Sequence, residues 1–212
     1  GFGGGSMPAF FAEMIPHCEV DVVELEPAVL AAADAMGFQP DPRICVHQDD
    51  GARFAVEAVR SSRLQNAENA GLYDALVIDA YDADGNVPSV FTTANSGICL
   101  AMEQGLLRPR SVVVTNLLPT APLSRVLHDQ AQALRARGDC LSFGIEAEGS
   151  GNLLALHAIG APVLWTGSAR QRKAELFLRL WLAARAMERA TACPFGIARL
   201  ATRRIRDLQR YE

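Results

Sequence analysis

Four of the first five residues are glycine, and the chain opens GFGGGSMPAF. A cluster of this kind normally joins the end of a β-strand to the start of a helix. Without Cβ atoms the backbone turns tightly, and its N–H groups come close to a ligand at the helix start. The helix follows at once, with Met7 to Ile15 reading as one and Pro8 tolerated in its first turn. The strand that should precede the loop is not in the sequence. The expectation is therefore a Rossmann-like domain lacking its first strand, a fragment that binds a cofactor poorly on its own.

Downstream, apolar runs of strand length alternate with helical patterns. CEVDVVELE, ICVHQ, DALVIDAY and SVVVTNLL read as strands. Helices are expected over Pro27–Met36, Ala52–Arg60, Ala94–Leu107 and Leu123–Arg137, and residues 61–72 as a polar surface insertion. Strands separated by helices imply a doubly wound, mostly parallel α/β sheet with helices on both faces. CLSFGIEAE and NLLALHAIG, joined through Gly149, Ser150 and Gly151, add a terminal antiparallel hairpin. Two helices are expected over 168–190 and 194–210. The division is a cofactor-binding domain over residues 1–162 and a helical appendage over 163–212.

In such sheets ligands sit beyond the carboxyl ends of the strands. Gly1, Gly3, Gly4 and Gly5 occupy the first of these ends. Glu24 closes the next strand about 20 residues later, where a carboxylate accepts hydrogen bonds from ribose hydroxyls; the alternative is a charge at the helix start ahead of Pro27, a role that suits Glu26 better. QDDG ends the third strand. There Asp50, followed by Gly51, suits an adenine amino group, or else caps the next helix. The fourth strand ends IDAYDADG, and acids at that place, Asp79 and Asp82 among them, suit orienting an amine or taking its proton. An Asx-type turn ahead of Gly85 is the alternative for Asp84. A nicotinamide enzyme would use the first two features and has no particular need of the others.

Taken in order, GFGGGSMP, VDVVELEP, VHQDDG and YDALVIDAYDAD resemble the spermidine synthase-like branch of S-adenosylmethionine-dependent methyltransferases. Within that branch the similarity is greatest to the C-terminal domain of the methyltransferase that modifies translation elongation factor 1A, and it runs from residue 1 to about residue 160 of this chain. The resemblance implies that Gly1, Gly3, Gly4, Gly5 and Ser6 surround the methionine part of the cofactor. It implies further that Glu24 holds the ribose and that Asp50 and Gly51 meet the adenine. Asp79 falls where polyamine synthases place the acid that deprotonates the attacking amine and also borders the cofactor. Asp82 matches their second, substrate-orienting acid.

One departure separates two activities. Polyamine synthases resemble G-G-G-D-G, whose Asp grips the free aminopropyl amine of decarboxylated S-adenosylmethionine; here that position is Ser6. A neutral hydroxyl supplies no ionic contact to an ammonium, and it does not repel the carboxylate of intact S-adenosylmethionine. The expected function is methyl transfer from S-adenosylmethionine to an amine, such as a protein lysine, an N-terminal amine or a small-molecule acceptor. The alternatives are an aminopropyltransferase using the decarboxylated cofactor, and a non-catalytic module of the same fold.

Other classes find less support. The net charge of −4 gives no footprint for nucleic acid. No stretch reaches the ~18 apolar residues of a membrane span. Five scattered cysteines without CxxC spacing argue for a reducing compartment, hence the cytoplasm, and against a metal site, although Cys45 and His47 share a strand face. A homodimer is compatible with this reading.

Overall fold

The computed structural model describes residues 1–64, 71–82, 84–95, 97–147, 150–160, 168–191 and 205–211. They form two compact units, Gly1–Phe54 and Ala55–Glu212. The expected boundary between residues 162 and 163 falls outside the described residues, as do 65–70 of the expected insertion.

The first unit runs α1 (Ser6–Met14), β1 (Val20–Glu24), α2 (Pro27–Ala35), β2 (Ile44–Gln48) and the first turn of α3 (Gly51–Leu64). Valine-rich β1 pairs in parallel with β2, Val20 opposite Ile44 and Glu24 opposite Gln48. Phe2, Ala12, Val22, Ala33 and Ile44 form its core, and the Phe2 ring meets Phe38 edge-on at 4.9 Å. Pro27 opens α2 from a first-turn position whose N–H has no intrahelical partner in any case.

The second unit continues with the rest of α3, then β3 (Tyr73–Ile78), α4 (Gly97–Glu103), β4 (Leu107–Leu117), α5 (Leu123–Leu134), β5 (Cys140–Glu146), β6 (Leu153–Ile159), α6 (Ala169–Thr191) and β7 (Ile205–Tyr211). Its sheet has the order β3-β4-β6-β5-β7. β3 and β4 are parallel, whereas the β5–β6 hairpin and the β4–β6 and β5–β7 ladders are antiparallel. The α/β class and the terminal hairpin are as expected. The helix expected over 194–210 is not formed at its end: residues 205–211 are a strand on the β5 edge, and 192–204 lie outside the described residues. The arginines there read as a solvated helix face, but alternation in a short run cannot be told from helical spacing by charge alone.

Helix α4 is shorter than expected at both ends because the backbone is left-handed there. Asn95 has φ 62°, and Gly97 has φ 47° with a would-be Cβ 2.3 Å from the Val90 carbonyl oxygen, so only glycine fits. Gly105, at φ 111°, closes the other end. The buried positions of α5, Leu123, Val126, Leu127, Gln130, Ala131 and Leu134, recur at three and four residues and lay one face on the sheet. Ile98, Met102, Leu106, Leu107, Val113 and Leu134 build the main core around α4 and α5.

His157 on β6 is fully buried among these layers, and burial pushes its imidazole down to about 3. An unfolded histidine takes a proton near pH 6.5, so below that pH the unfolded chain binds a proton that the folded chain refuses. Stability therefore falls as pH is lowered from about 6.5 towards 3, by up to ~1.4 kcal/mol per pH unit from this residue. Thermal unfolding of wild type and His157→Gln across pH 4–7 should show a shallower acid decline in the variant. Parallel profiles would contradict the burial argument.

Candidate functional site

In the first unit the site is built around one carboxylate. Glu24 ends β1 with only 8% of its surface exposed. Its Oε2 accepts the Phe2 backbone N–H at 2.7 Å, and its Oε1 accepts the Glu26 N–H at 2.9 Å. Burial alone would raise its pKa, but the N–H donors of Phe2 and Glu26 outweigh that and hold the carboxyl below its ordinary value. The carboxylate stays ionised, and each oxygen retains a second lone pair. Two ribose hydroxyls need acceptors of that kind.

The glycine turn rises directly from this anchor. Gly5 N–H donates to the Phe2 carbonyl at 3.0 Å, and Gly3 and Gly5 are left-handed at φ 54° and 73°. A Cβ on Gly5 would lie 2.5 Å from the Phe38 ring and 2.9 Å from Phe2, so this glycine is required by packing. Nothing lies within 4 Å of a Cβ built on Gly3 or Gly4, so the outer side of the turn is open to a ligand. Gly1 and Ser6 are exposed, and Ser6 begins α1, whose first-turn N–H groups point outward as in an anion site.

The β2 end lies beside Glu24, with the Asp49 N–H donating to the Glu24 carbonyl at 3.0 Å. Asp50 takes the capping role: its Oδ1 accepts the Arg53 N–H at 2.8 Å, and Gly51 opens α3. Asp49 is bound to the Arg53 guanidinium, which with the Asp50 N–H holds its carboxyl below the usual range. Asp21 on β1 and Cys45 and His47 on β2 place their donor atoms within 4.8 Å of one another, and His47 Nε2 lies 2.8 Å from Asp21 Oδ1. This is a half-exposed cross-strand pair beside a thiol.

In the second unit Asp79 follows β3 directly. The register sets Ile78 opposite Thr115, which brings Asn116 alongside Asp79. Asn116 Nδ2 donates to Asp79 Oδ1 at 2.9 Å, and Asn152 Nδ2 donates in turn to Asn116 Oδ1 at 3.2 Å. Asn116 thus orients the acid. Asn152 carries no sequence signal, since only the antiparallel β4–β6 pairing brings it there. The neighbouring Tyr81 is 37% exposed, and partial burial together with the Asp79 charge raises its phenol. Asp82 closes its own turn, its Oδ1 accepting the N–H groups of Asp84 at 3.0 Å and Asn86 at 2.8 Å. The Asx-type turn ahead of Gly85 is therefore made by Asp82, not by Asp84.

The fold is a Rossmann-like α/β one, and acidic groups stand at the strand ends of each unit. A Vibrio vulnificus polyamine aminopropyltransferase is 29% identical over 176 residues, 82% of this chain and 53% of that protein. A Danio rerio eEF1A lysine and N-terminal methyltransferase is 30% identical over 124 residues, 56% of this chain and 16% of that protein. The crystal structure of human methyltransferase-like protein 13 in complex with SAH matches 92% of this chain and 81% of that one, with a TM-score of 0.60 at 22% identity, which shows the shared fold. No protein-family model matches the chain. These similarities bear out the resemblance to the spermidine synthase-like branch. The chain spans about half the length of the Vibrio relative and a smaller share of the Danio one.

Glu24→Gln sets the geometry of the anchor against experiment. A carboxamide has one acceptor oxygen, so its NH2 must face either the Phe2 or the Glu26 N–H. The expected cost is about 1–3 kcal/mol, read from denaturant midpoints. A change of less than about 0.5 kcal/mol, the scale of a surface substitution, would mean that the two backbone bonds do not form.

Proposed function

We propose that the chain is part of an S-adenosylmethionine-dependent methyltransferase acting on an amine, a protein lysine or N-terminal amine being the favoured acceptor. The observation that carries this reading is Glu24, an ionised, buried carboxylate tied to an open glycine turn. Similarity to methyltransferases supports it further. The cofactor supplies an electrophilic methyl group on a sulfonium.

The residues divide the remaining work. Glu24 accepts the ribose hydroxyls, and the turn from Gly1 to Gly5 lets the methionine moiety approach the backbone. Ser6 meets its carboxylate without the repulsion an acid would bring. Asp50 spends Oδ1 on the α3 cap, so an adenine amino group would be met by its other oxygen, beside Gly51. Methyl transfer is an in-line attack that needs an unprotonated amine. Asp79, held by Asn116, accepts a proton from the ammonium form of the acceptor. Asp82 contributes by shaping the turn beside it, because its Oδ1 is committed to two backbone N–H groups.

Aminopropyl transfer with decarboxylated S-adenosylmethionine is the second reading, favoured by the longer match to the Vibrio aminopropyltransferase. Ser6 weighs against it. Cytoplasmic residence is proposed from the chemistry of the thiols: Cys18, Cys45, Cys99 and Cys140 are free, and burial raises Cys99 to about 12 and Cys140 to about 11. Among the described residues no helix is long and apolar enough to cross a membrane. A net charge of −4 recommends a protein or small amine over nucleic acid, and a homodimer remains part of the proposal.

Calorimetric titration with S-adenosylmethionine and with its decarboxylated form tests the choice. Tighter binding of the intact cofactor is the expected result; preference for the decarboxylated form would transfer the assignment to aminopropyl transfer. Asp79→Asn should lower turnover by about 10²–10⁴, the range for loss of a general base, a far larger effect than on the binding of S-adenosylhomocysteine. Full turnover would remove Asp79 from the chemistry.

A further inference from the structure

The segment that follows Asp79 is held from beneath by a buried polar chain that the proposed chemistry does not itself use. Thr115 on β4, Gln130 on α5, Ser142 on β5 and His157 on β6 are all fully buried. Ser142 Oγ lies 2.7 Å from His157 Nδ1, and His157 Nε2 lies 3.1 Å from Gln130 Oε1. Gln130 Nε2 donates to Thr115 Oγ1 at 2.9 Å and to the Phe91 carbonyl at 3.0 Å. Thr115 Oγ1 also lies 3.2 Å from Gln130 Oε1, and the Cys140 and Cys99 thiols make longer contacts to Ser142 and to the Phe91 carbonyl.

Donor and acceptor chemistry gives this chain one direction. The Gln130 amide oxygen is only an acceptor, so His157 must present Nε2–H to it, and Nδ1 must then accept the Ser142 hydroxyl. The opposite Gln130 rotamer would set Oε1 against the Phe91 oxygen. That mismatch leaves a buried polar group unpaired, at about 1–3 kcal/mol. The Phe91 carbonyl therefore selects the Gln130 orientation that donates to it, and His157 matches that orientation as the Nε2–H tautomer.

Phe91 ends the 3-10 turn Ser89–Phe91, in the segment that starts at Asp79. The near end of that segment is fixed by Asn116 on Asp79, and its middle by the Asp82 turn. The far end is fixed at the Phe91 carbonyl.

We propose that Gln130, braced by His157, is a positioning residue: it fixes the Phe91 end of this segment and so sets the wall against which an amine acceptor rests beside Asp79. The acceptor role rests on the methyltransferase reading; the tether does not.

Two variants of the full chain test it. Gln130→Met keeps length and burial but removes the donor, while Thr115→Val perturbs the same buried cluster and leaves the Gln130–Phe91 bond in place. The Phe91, Thr92 and Thr93 amides are bonded within the turn, so their hydrogen exchange reports its opening. Gln130→Met should speed exchange at these three amides about tenfold, with Thr115→Val near wild type. Unchanged exchange in Gln130→Met, or an equal rise in both variants, would overturn the tether. With Nα-acetyl-lysine amide or putrescine as the probe acceptor, Gln130→Met should raise KM about fivefold with little change in kcat. A fall in kcat at constant KM would overturn the acceptor-wall role. If the wild type binds S-adenosylhomocysteine but turns over neither amine, the acceptor wall fails with the amine assignment. If it binds no S-adenosylhomocysteine, the methyltransferase reading fails, and the exchange experiment still decides the tether.

Discussion

Two hydrogen bonds to one carboxylate organise the first unit. Glu24 receives the Phe2 and Glu26 N–H groups on opposite oxygens, which ties the start of the glycine turn to the end of β1. The left-handed Gly3 and Gly5 and the Phe2–Phe38 packing lie in the turn that this tie anchors. Burying a carboxylate is costly unless it is ionised and hydrogen-bonded. Here the N–H donors meet that condition and leave lone pairs for a diol. On the proposed reading, the same bonds that stabilise the turn also prepare it for a nucleoside.

The second unit applies the same economy of means to a different group. A parallel register between β3 and β4 is enough to set Asn116 beside Asp79, and the β4–β6 pairing brings Asn152 behind it. Further along, four fully buried polar side chains from three strands and one helix are linked in one cluster that reaches a single loop carbonyl through Gln130. Interior polar groups of this kind are tolerated only when satisfied. Their arrangement here selects one conformation of the segment after Asp79 from the alternatives open to a chain containing Gly85 and Gly97.

Much of this was legible in the sequence because its signals are local. Valine runs of strand length, an alanine-rich helix behind Pro27 and Gly-Ser-Gly between two apolar runs each act within a few residues, and the corresponding elements formed. The strand-end positions of Glu24, Asp50 and Asp79 were legible for the same reason. Side-chain partners were not. Both Asp50 and Asp82 turned to neighbouring backbone N–H groups, the habit that makes Asp a capping and turn residue. The Asn152–Asn116–Asp79 chain and the Gln130–His157 cluster join residues far apart in sequence, so only sheet register reveals them. Helix α4 was overestimated because left-handed backbone at Asn95, Gly97 and Gly105 trims it, and the strand at 205–211 was hidden by arginines equally at home on a helix.

The most direct measurement of the central claim is the affinity of S-adenosylhomocysteine against its 2′-deoxy analogue, by calorimetry on the full chain. If Glu24 reads the ribose, loss of the 2′-hydroxyl leaves a charged acceptor short of a donor, and binding should weaken about tenfold or more. Equal affinity for the two nucleosides would mean that Glu24 only braces the glycine turn, and the assignment of this surface to the cofactor would be wrong.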